Sequence, residues 1–359
     1  MKGTHAYILV LITAALLLTA CCRKPKGVDN PQPSVYYWRT TFSLDSVERS
    51  FLADAHVGKM YVHFFDVVRT GVRSKENRSK ENGSKEDAIG LMPANTLVFE
   101  DAVPQGIEVI PTVFFEPGAL RDTTGMYELA GLVVKRIDQM TEQNGLATAQ
   151  QVQMDYDWVA SDEAAYFTFL RSLRDLLHRQ GRTLSATIRL HQLAKAVPPV
   201  DEGVLMVYNV GNFRDEGEEN SILTIKAVEP YLPRMESYDL PLCAALPVYG
   251  WDLLFQNHEF RQIVRGVDLS DTLKFSRMDS THYRAEAYMA APADGIADPA
   301  GQRIYPGDII RHEQPSMATL QRVRDMLERS RSGMCDQVVI YHLDSKFLKD
   351  NSYEIKKLY

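Results

Sequence analysis

The chain has 359 residues, of which 45% are hydrophobic and 24% charged, the composition of an ordinary globular protein. The formal net charge is −7, so the sequence offers no basic field for nucleic acid. The length is sufficient for one large barrel or for two domains.

The N-terminal segment has the pattern of a secretory signal. Lys2 precedes an apolar run over residues 6–20, which is shorter than the ~20 residues that cross a bilayer. The sequence Leu-Thr-Ala before Cys21 matches a lipoprotein cleavage signal. This match predicts that residues 1–20 are removed and that Cys21 is lipidated. The alternative is an ordinary signal peptide with an incidental cysteine.

Residues 21–34 predict a polar, proline-containing spacer between the lipid and a domain over residues 35–359. Several acyl chains on one cysteine anchor a protein stably, so the expected partner at this end is a membrane. No acidic run follows Cys21 to indicate export to the surface. We therefore expect a protein of the cell envelope, anchored in the outer membrane and facing the periplasm.

Short runs rich in β-branched and aromatic residues alternate with segments of helical periodicity. The predicted strands cover residues 35–42, 59–67, 108–115, 152–158, 183–190, 203–210, 240–251 and 337–345. The clearest predicted helices cover residues 43–55, 126–143, 162–179, 221–235 and 317–330. Strands that alternate with helices indicate a parallel sheet. Eight such units favour a (β/α)8 TIM barrel over an open doubly wound sheet.

Two insertions interrupt this alternation. Residues 73–87 form a fivefold-periodic tract without apolar residues, which predicts a disordered loop. Residues 257–315 separate the seventh strand from its helix, and segments 282–290 and 303–311 predict two strands of a small subdomain beside the barrel mouth.

Cys243 and Cys335 lie within the predicted barrel. They could form a disulfide in an oxidising compartment. We favour two buried free cysteines, because a sequence does not give the distance between them.

Functional side chains of a (β/α)8 barrel lie at the C-terminal ends of its strands. On the fourth predicted strand, Gln153, Asp155 and Asp157 share one face, because side chains alternate with a period of two. Two carboxylates on one interior face are unfavourable unless they are paired or share a proton. A functional site is therefore favoured over a purely structural pair.

Other predicted strand ends add rings and polar groups. These side chains include Trp38, Glu116, Arg189, His191, Tyr208, Asn209, Tyr249, Trp251, Tyr341 and His342. A mouth of this kind suits a sugar, since rings stack on C–H faces while polar groups bind hydroxyls. No set of His, Asp and Glu has metal-binding spacing, and no glycine-rich phosphate loop follows a strand. No metal and no cofactor is therefore expected.

Three predicted strands resemble motifs of the family 18 glycosidases, the chitinase-like (β/α)8 enzymes. Residues 155–158 (Asp-Tyr-Asp-Trp) are similar to the D-x-D-W core of the family motif D-x-x-D-x-D-x-E on strand four. Residues 206–209 (Met-Val-Tyr-Asn) resemble M-x-Y-D on strand six, and residues 245–250 (Ala-Leu-Pro-Val-Tyr-Gly) resemble G-x-P-x-Y-G on strand seven. The resemblance covers about residues 35–345 and implies a glycan cleft.

The sequence departs from the family at positions that carry its chemistry. The general acid of the family, a glutamate, falls on Val159, the first aspartate of the motif on Val152, and the strand-six aspartate on Asn209. In that family the N-acetyl group of the substrate attacks the anomeric carbon, but the leaving oxygen must still be protonated. Loss of proton donation costs on the order of 10²–10⁴ in rate.

Three functional hypotheses follow, and Val159 favours the first. In the first, the barrel binds an oligosaccharide without hydrolysing it. In the second, it is an active glycoside hydrolase with Glu116 as the replacement acid and Asp155 or Asp157 as its partner. In the third, it has a structural or assembly role in the envelope. The predicted substrate-binding residues are Trp38, Trp158, Arg189, Tyr208, Asn209, Tyr249 and Trp251.

Overall fold

The computed structural model describes residues 27–69, 90–291 and 302–359. The predicted signal segment, Cys21 and the predicted loop over residues 73–87 lie outside the described residues.

The strands of the described ranges are, in chain order, β1 (Ser34–Tyr37), β2 (Thr41–Phe42), β3 (Lys59–Arg69), β4 (Leu91–Ala94), β5 (Val98–Phe99), β6 (Glu108–Phe115), β7 (Gln151–Asp155), β8 (Thr183–Arg189), β9 (Glu202–Met206), β10 (Leu242–Pro247), β11 (Trp251–Gln256), β12 (Glu259–Val264), β13 (Phe275–Arg277), β14 (His282–Ala285), β15 (Met289–Ala291), β16 (Gln302–Ile304), β17 (Ile309–Glu313) and β18 (Val338–Tyr341).

The helices are α1 (Ser46–Asp54), α2 (Met126–Gln143), α3 (Glu163–Arg179), α4 (Ile225–Val228), α5 (Leu232–Ser237), α6 (Met317–Ser330) and α7 (Ser345–Ile355). None of the helices in these ranges is both long and apolar enough to cross a membrane. Short 3₁₀ turns cover Leu190–Ala194, Glu229–Tyr231 and Lys356–Leu358.

Eight parallel strands form a closed barrel. Their order is β1, β3, β6, β7, β8, β9, β10 and β18, and pairing of β18 with β1 closes the ring. The predicted (β/α)8 barrel is therefore confirmed. Cys243 and Cys335 are buried and free within it, as favoured from the sequence.

The interior of the barrel contains a polar layer below its mouth. Tyr36 Oη donates to Gln153 Oε1 at 2.7 Å, and Gln153 Nε2 lies 3.5 Å from Ser185 Oγ, all within the buried interior. Gln153 therefore faces inward. Because strand side chains alternate, Asp155 also faces inward, two residues nearer the C-terminal end of β7.

The helix predicted over residues 221–235 is interrupted. It forms α4 and α5, with the 3₁₀ turn Glu229–Tyr231 between them. Pro230 and Pro233 stand in the first turns of the 3₁₀ segment and of α5. Proline has no N–H to donate and clashes with the preceding helical turn, so one continuous helix is not available here.

A small subdomain follows barrel strand β10. Its antiparallel sheet has the order β12-β11-β17-β14-β13. The sheet begins at Trp251, before the predicted boundary at residue 257, so Trp251 belongs to the subdomain. Each of the two predicted strands is divided in the structure: β14 pairs with β17, and β15 pairs with β16.

Gly250 connects the barrel to this sheet at a point of close backbone approach. A Cβ at this position would lie 2.8 Å from the carbonyl oxygen of Glu313. Only glycine therefore lets the chain pass from β10 into β11 without a shift of the backbone.

A buried ion pair holds the subdomain against the loop that follows β9. Arg311 is fully buried, and its Nε lies 2.7 Å from Glu313 Oε1. The guanidinium also donates to the backbone carbonyls of Asp215 and Phe213. Glu313 Oε2 accepts from Trp251 Nε1 at 2.7 Å and from Ser221 Oγ at 2.6 Å.

Removal of the buried cation should strongly destabilise the fold. Arg311→Ala leaves the Glu313 carboxylate buried and uncompensated, so we expect a loss of about 3–5 kcal/mol in the free energy of unfolding, measured by urea titration. Arg261→Ala, which breaks an exposed pair with Glu259 on the same sheet, should cost less than ~1 kcal/mol. Equal losses for the two variants would contradict this account.

Candidate functional site

The C-terminal ends of the barrel strands surround a cavity of about 440 Å³. Rings form much of its wall, contributed by Trp38, Phe114, Tyr208, Tyr231 and Tyr341. Tyr208 and Tyr341 stack with a centroid distance of 4.5 Å and an interplanar angle of 17°. The ring of Trp38 lies 6.4 Å from that of Tyr341. These rings offer flat apolar surfaces at the barrel mouth.

Asp155 forms the floor of the cavity together with two side chains of the neighbouring strand β8. The residue is 3% exposed, and Oδ1 accepts from Thr187 Oγ1 at 2.6 Å and from Arg189 Nη1 at 2.8 Å. Arg189 Nη1 also lies 2.8 Å from Thr187 Oγ1. The three groups therefore hold one another in place, and the charge of Asp155 is paired.

Arg189 remains a cation in this setting. Burial opposes its charge, but the adjacent carboxylate of Asp155 outweighs that effect, and the net result raises the pKa of Arg189 above its ordinary value. Tyr208 and Asp157 act in the same direction. The floor of the cavity thus contains a permanent guanidinium.

Asp157 stands at the more solvated side of the cavity. Its side chain is 47% exposed, and Oδ1 lies 3.2 Å from His191 Nε2. Gln192 Nε2 donates to the same oxygen at 3.4 Å. Burial lowers the pKa of His191, and the charge of Asp157 only partly opposes this shift. His191 is therefore neutral near pH 7.

The hydroxyl of Tyr208 is buried at the cavity wall. Among the residues that the structure describes, none accepts from or donates to Tyr208 Oη. Burial, with a smaller contribution from Tyr341, raises the pKa of Tyr208 well above its ordinary value, so the group remains a protonated hydroxyl. An unpaired buried hydroxyl is unfavourable.

Six of the predicted catalytic and substrate-binding residues line this cavity, and they are Trp38, Asp155, Asp157, Arg189, Tyr208 and Asn209. Asn209 lies at a strand end with a left-handed φ of 53°, a conformation that asparagine tolerates better than most residues. Its Oδ1 accepts from Tyr249 Oη at 2.6 Å. Tyr249 therefore supports the wall from behind and does not line the cavity itself.

Three other predicted residues lie elsewhere. Glu116 is exposed and follows the end of β6, outside the cavity lining. Trp158 is fully buried against Phe167 of α3, with ring centroids 5.2 Å apart, because it faces the opposite side from Asp157. Trp251 lies in the subdomain sheet, where it donates to Glu313. The structure does not bring these three side chains together with Asp155.

Several cavity residues were missed by the sequence analysis. Phe114 lies two residues after the inward-facing Thr112 on β6 and shares its face, so strand periodicity was a signal for it. His191 and Tyr341 were not missed, because the sequence already places both at the ends of predicted strands around the mouth. Tyr231 comes from the 3₁₀ turn between α4 and α5, and no sequence signal marks it. In the part of the chain that the structure describes, no cluster of three or more His, Cys, Asp and Glu side chains could hold a metal.

No protein-family model and no curated protein matches the sequence. Solved structures do match the fold. The spore cortex-lytic enzyme SleL of Bacillus cereus matches over 91% of this chain and 74% of its own, with 14% identity and a TM-score of 0.52. SleL of Bacillus megaterium QM B1551 matches over 90% and 75%, with 12% identity and a TM-score of 0.50.

The C-terminal domain of a Desulfitobacterium hafniense DCB-2 protein named as a chitinase matches over 92% of this chain and 99% of that domain. Its identity is 12% and its TM-score 0.52. At such low identities the similarity establishes the fold. The chain has a chitinase-like (β/α)8 barrel, as the strand motifs predict.

His342, beside the aromatic wall, should make the stability of this region sensitive to acid. Its ring lies 5.3 Å from that of Tyr341, and burial lowers the pKa of His342 to about 4. An unfolded histidine titrates near 6.5, so the unfolded chain binds this proton first as the pH falls. The resulting stabilisation is complete above pH ~6.5 and is lost on acidification towards pH 4, by up to about 3 kcal/mol.

Urea unfolding at pH 7, 5.5 and 4.5 measures this effect. His342→Asn should reduce the loss of stability on acidification, whereas His56→Asn, at an exposed position, should leave that loss unchanged. An unaltered pH dependence in His342→Asn would remove His342 from this role.

Proposed function

We propose that the chain is a lipid-anchored envelope protein whose glycosidase-like barrel binds a glycan without hydrolysing it. The observation that carries this proposal is the ion pair between Asp155 and Arg189 at the cavity floor. Glycoside cleavage develops positive charge at the sugar ring. A carboxylate that is already paired with a fixed cation stabilises such charge poorly, so the transition state gains little over the bound ground state.

The positions of the candidate proton donors also support binding without hydrolysis. Val159 stands at the position of the general acid, and its side chain is half exposed and apolar. Glu116, the replacement acid of the hydrolase hypothesis, is outside the cavity lining. Asp157, which contacts His191 and Gln192, then remains as the one acid of the cavity lining besides the paired Asp155. Glycosidases that do not use substrate assistance require two carboxyl groups across the bond, and the substrate-assisted route still requires a dedicated acid.

The side chains in the cavity wall are of the kinds that bind a saccharide. Aromatic rings such as Trp38 and Tyr341 offer faces for the C–H groups of a sugar, and Asp157 and Asn209 offer partners for hydroxyls. One of the proteins with the same fold is named as a chitinase, and this name is consistent with a glycan ligand here.

The route of the chain into the barrel supports an orientation on the membrane. The first described residues pack at the N-terminal end of the barrel, where Gly58 N donates to Pro33 O at 2.9 Å. Gly27 is six positions after Cys21, which corresponds to at most ~22 Å of extended chain. A lipid on Cys21 would keep that end close to the outer membrane. The cavity, at the opposite end of the strands, would face the periplasm.

Binding without cleavage is testable with a panel of neutral and acidic oligosaccharides, read by calorimetry and by release of reducing ends. We expect wild type to bind at least one member without cleaving it. Trp38→Ala removes a ring from the cavity and should weaken that binding about tenfold, roughly 1.4 kcal/mol. Tyr353→Ala, at an exposed ring on α7, is the matched control and should bind as wild type does. Cleavage by wild type that disappears in Asp157→Asn would instead establish a hydrolase.

Lipid anchoring is testable by cell fractionation. Wild type should sediment with outer membranes and should incorporate labelled palmitate. Cys21→Ala cannot accept the lipid and should lose the label, whereas Cys22→Ala should keep both the label and the membrane association. Palmitate incorporation that persists in Cys21→Ala would contradict the proposed site.

A further inference from the structure

One edge of the Arg189 guanidinium is unused. Both of its hydrogen bonds, to Asp155 and to Thr187, are made by Nη1. Within the described ranges, Nε and Nη2 have no hydrogen-bond partner, and neither atom is fully buried. Arg189 lines the cavity, and its side chain is 21% exposed. The free donors therefore belong to a side chain that borders the space for a ligand.

These free donors have a defined geometry. Nε–H and an N–H of Nη2 are parallel on one edge of the planar guanidinium, and this edge matches the two oxygens of a carboxylate. A hydroxyl or an amide oxygen satisfies one of these donors at a time. Tyr208 adds a buried hydroxyl on the same cavity wall, also without a partner among the described residues. The unmet groups here are thus mainly donors.

The charges around Arg189 leave room for an anion. The charge of Asp155 is compensated by Arg189 itself. The negative charge of Asp157 opposes an anionic ligand. Its side chain is 47% exposed and lies beside His191, so water screens the charge of Asp157 more than it screens the charges at the cavity floor. The remaining lining residues are aromatic, apolar or, like Asn209, uncharged.

We propose that the cavity is selective for a saccharide that carries a carboxylate, which binds to the Nε/Nη2 edge of Arg189. This inference rests on the proposed glycan-binding function and narrows it to acidic sugars. The sugar ring lies against the aromatic wall, while its carboxylate reaches the floor.

The test compares acidic oligosaccharides with their carboxyl-reduced counterparts. The probes are an N-acetylglucosamine–N-acetylmuramic acid tetrasaccharide, a uronic-acid-containing tetrasaccharide, the reduced form of each, and neutral N-acetylglucosamine tetrasaccharide. At least one acidic probe should bind wild type ten times more tightly than its reduced form, and 0.5 M salt should diminish that ratio. Equal affinity for acidic and reduced forms, or a preference for the neutral tetrasaccharide, would overturn the inference while leaving glycan binding intact. No binding of any probe would overturn glycan binding as well.

The variant Arg189→Lys keeps the positive charge at this position but removes the planar guanidinium with its paired N–H donors. Lysine keeps a cation beside Asp155, so the buried carboxylate retains a charged partner. The lysine side chain, however, has no planar edge that could bind the carboxylate of a ligand with two parallel hydrogen bonds. The ratio of affinities for the acidic and reduced probes should fall at least fivefold. Arg174→Lys, which changes a partly exposed arginine on α3 outside the cavity lining, should keep the wild-type ratio. An unchanged ratio in Arg189→Lys would assign the selectivity to another group. If this variant fails to fold, the comparison of probes on wild type still decides.

Discussion

The pairing of Asp155 with Arg189 determines what the cavity can do. It depends on the register between neighbouring strands β7 and β8, in which Met154 lies beside Ala186. The same register brings Asp155 next to Thr187, and the inward-facing Arg189 follows two residues later. Closure of the barrel fixes this register, because each strand has a neighbour on both sides. The charge at the cavity floor is therefore a property of the fold rather than of a mobile loop.

Periodicity accounts for most of what could be predicted. A period of two along a barrel strand separates side chains that face the interior from side chains that face the helices, and this rule placed Asp155 and Asp157 correctly. The same rule places Trp158 on the outer face, where it packs against Phe167. Trp158 was nevertheless predicted as a ligand contact, and the local alternation was the better guide to its position.

The remaining features of the site depend on contacts between segments that are distant in the chain. Such contacts cannot be predicted from the residue pattern of a single sequence. Trp251 continues an apolar run, and only its pairing with β17 assigns it to the subdomain. Tyr231 reaches the cavity because two prolines interrupt a helix, but the direction of the resulting turn depends on its packing. Glu116 follows a strand whose last residue, Phe115, faces the helices. The next side chain leaves the barrel before it can reach the mouth.

A fixed guanidinium at the floor imposes opposite effects on catalysis and on binding. A glycosidase must favour the positive charge that appears at the anomeric carbon, and it therefore needs carboxylates whose charge is available to the sugar. In this cavity the positive charge of Arg189 compensates the negative charge of Asp155. The unused N–H donors of Arg189 border the space for a ligand. The ion pair thus weakens the stabilisation of a cationic transition state, while the unused donors of Arg189 remain available to an anionic ligand. Restoring a glutamate at position 159 alone would replace the proton donor but not the charge of Asp155, so the loss of hydrolysis that we propose has two physical causes.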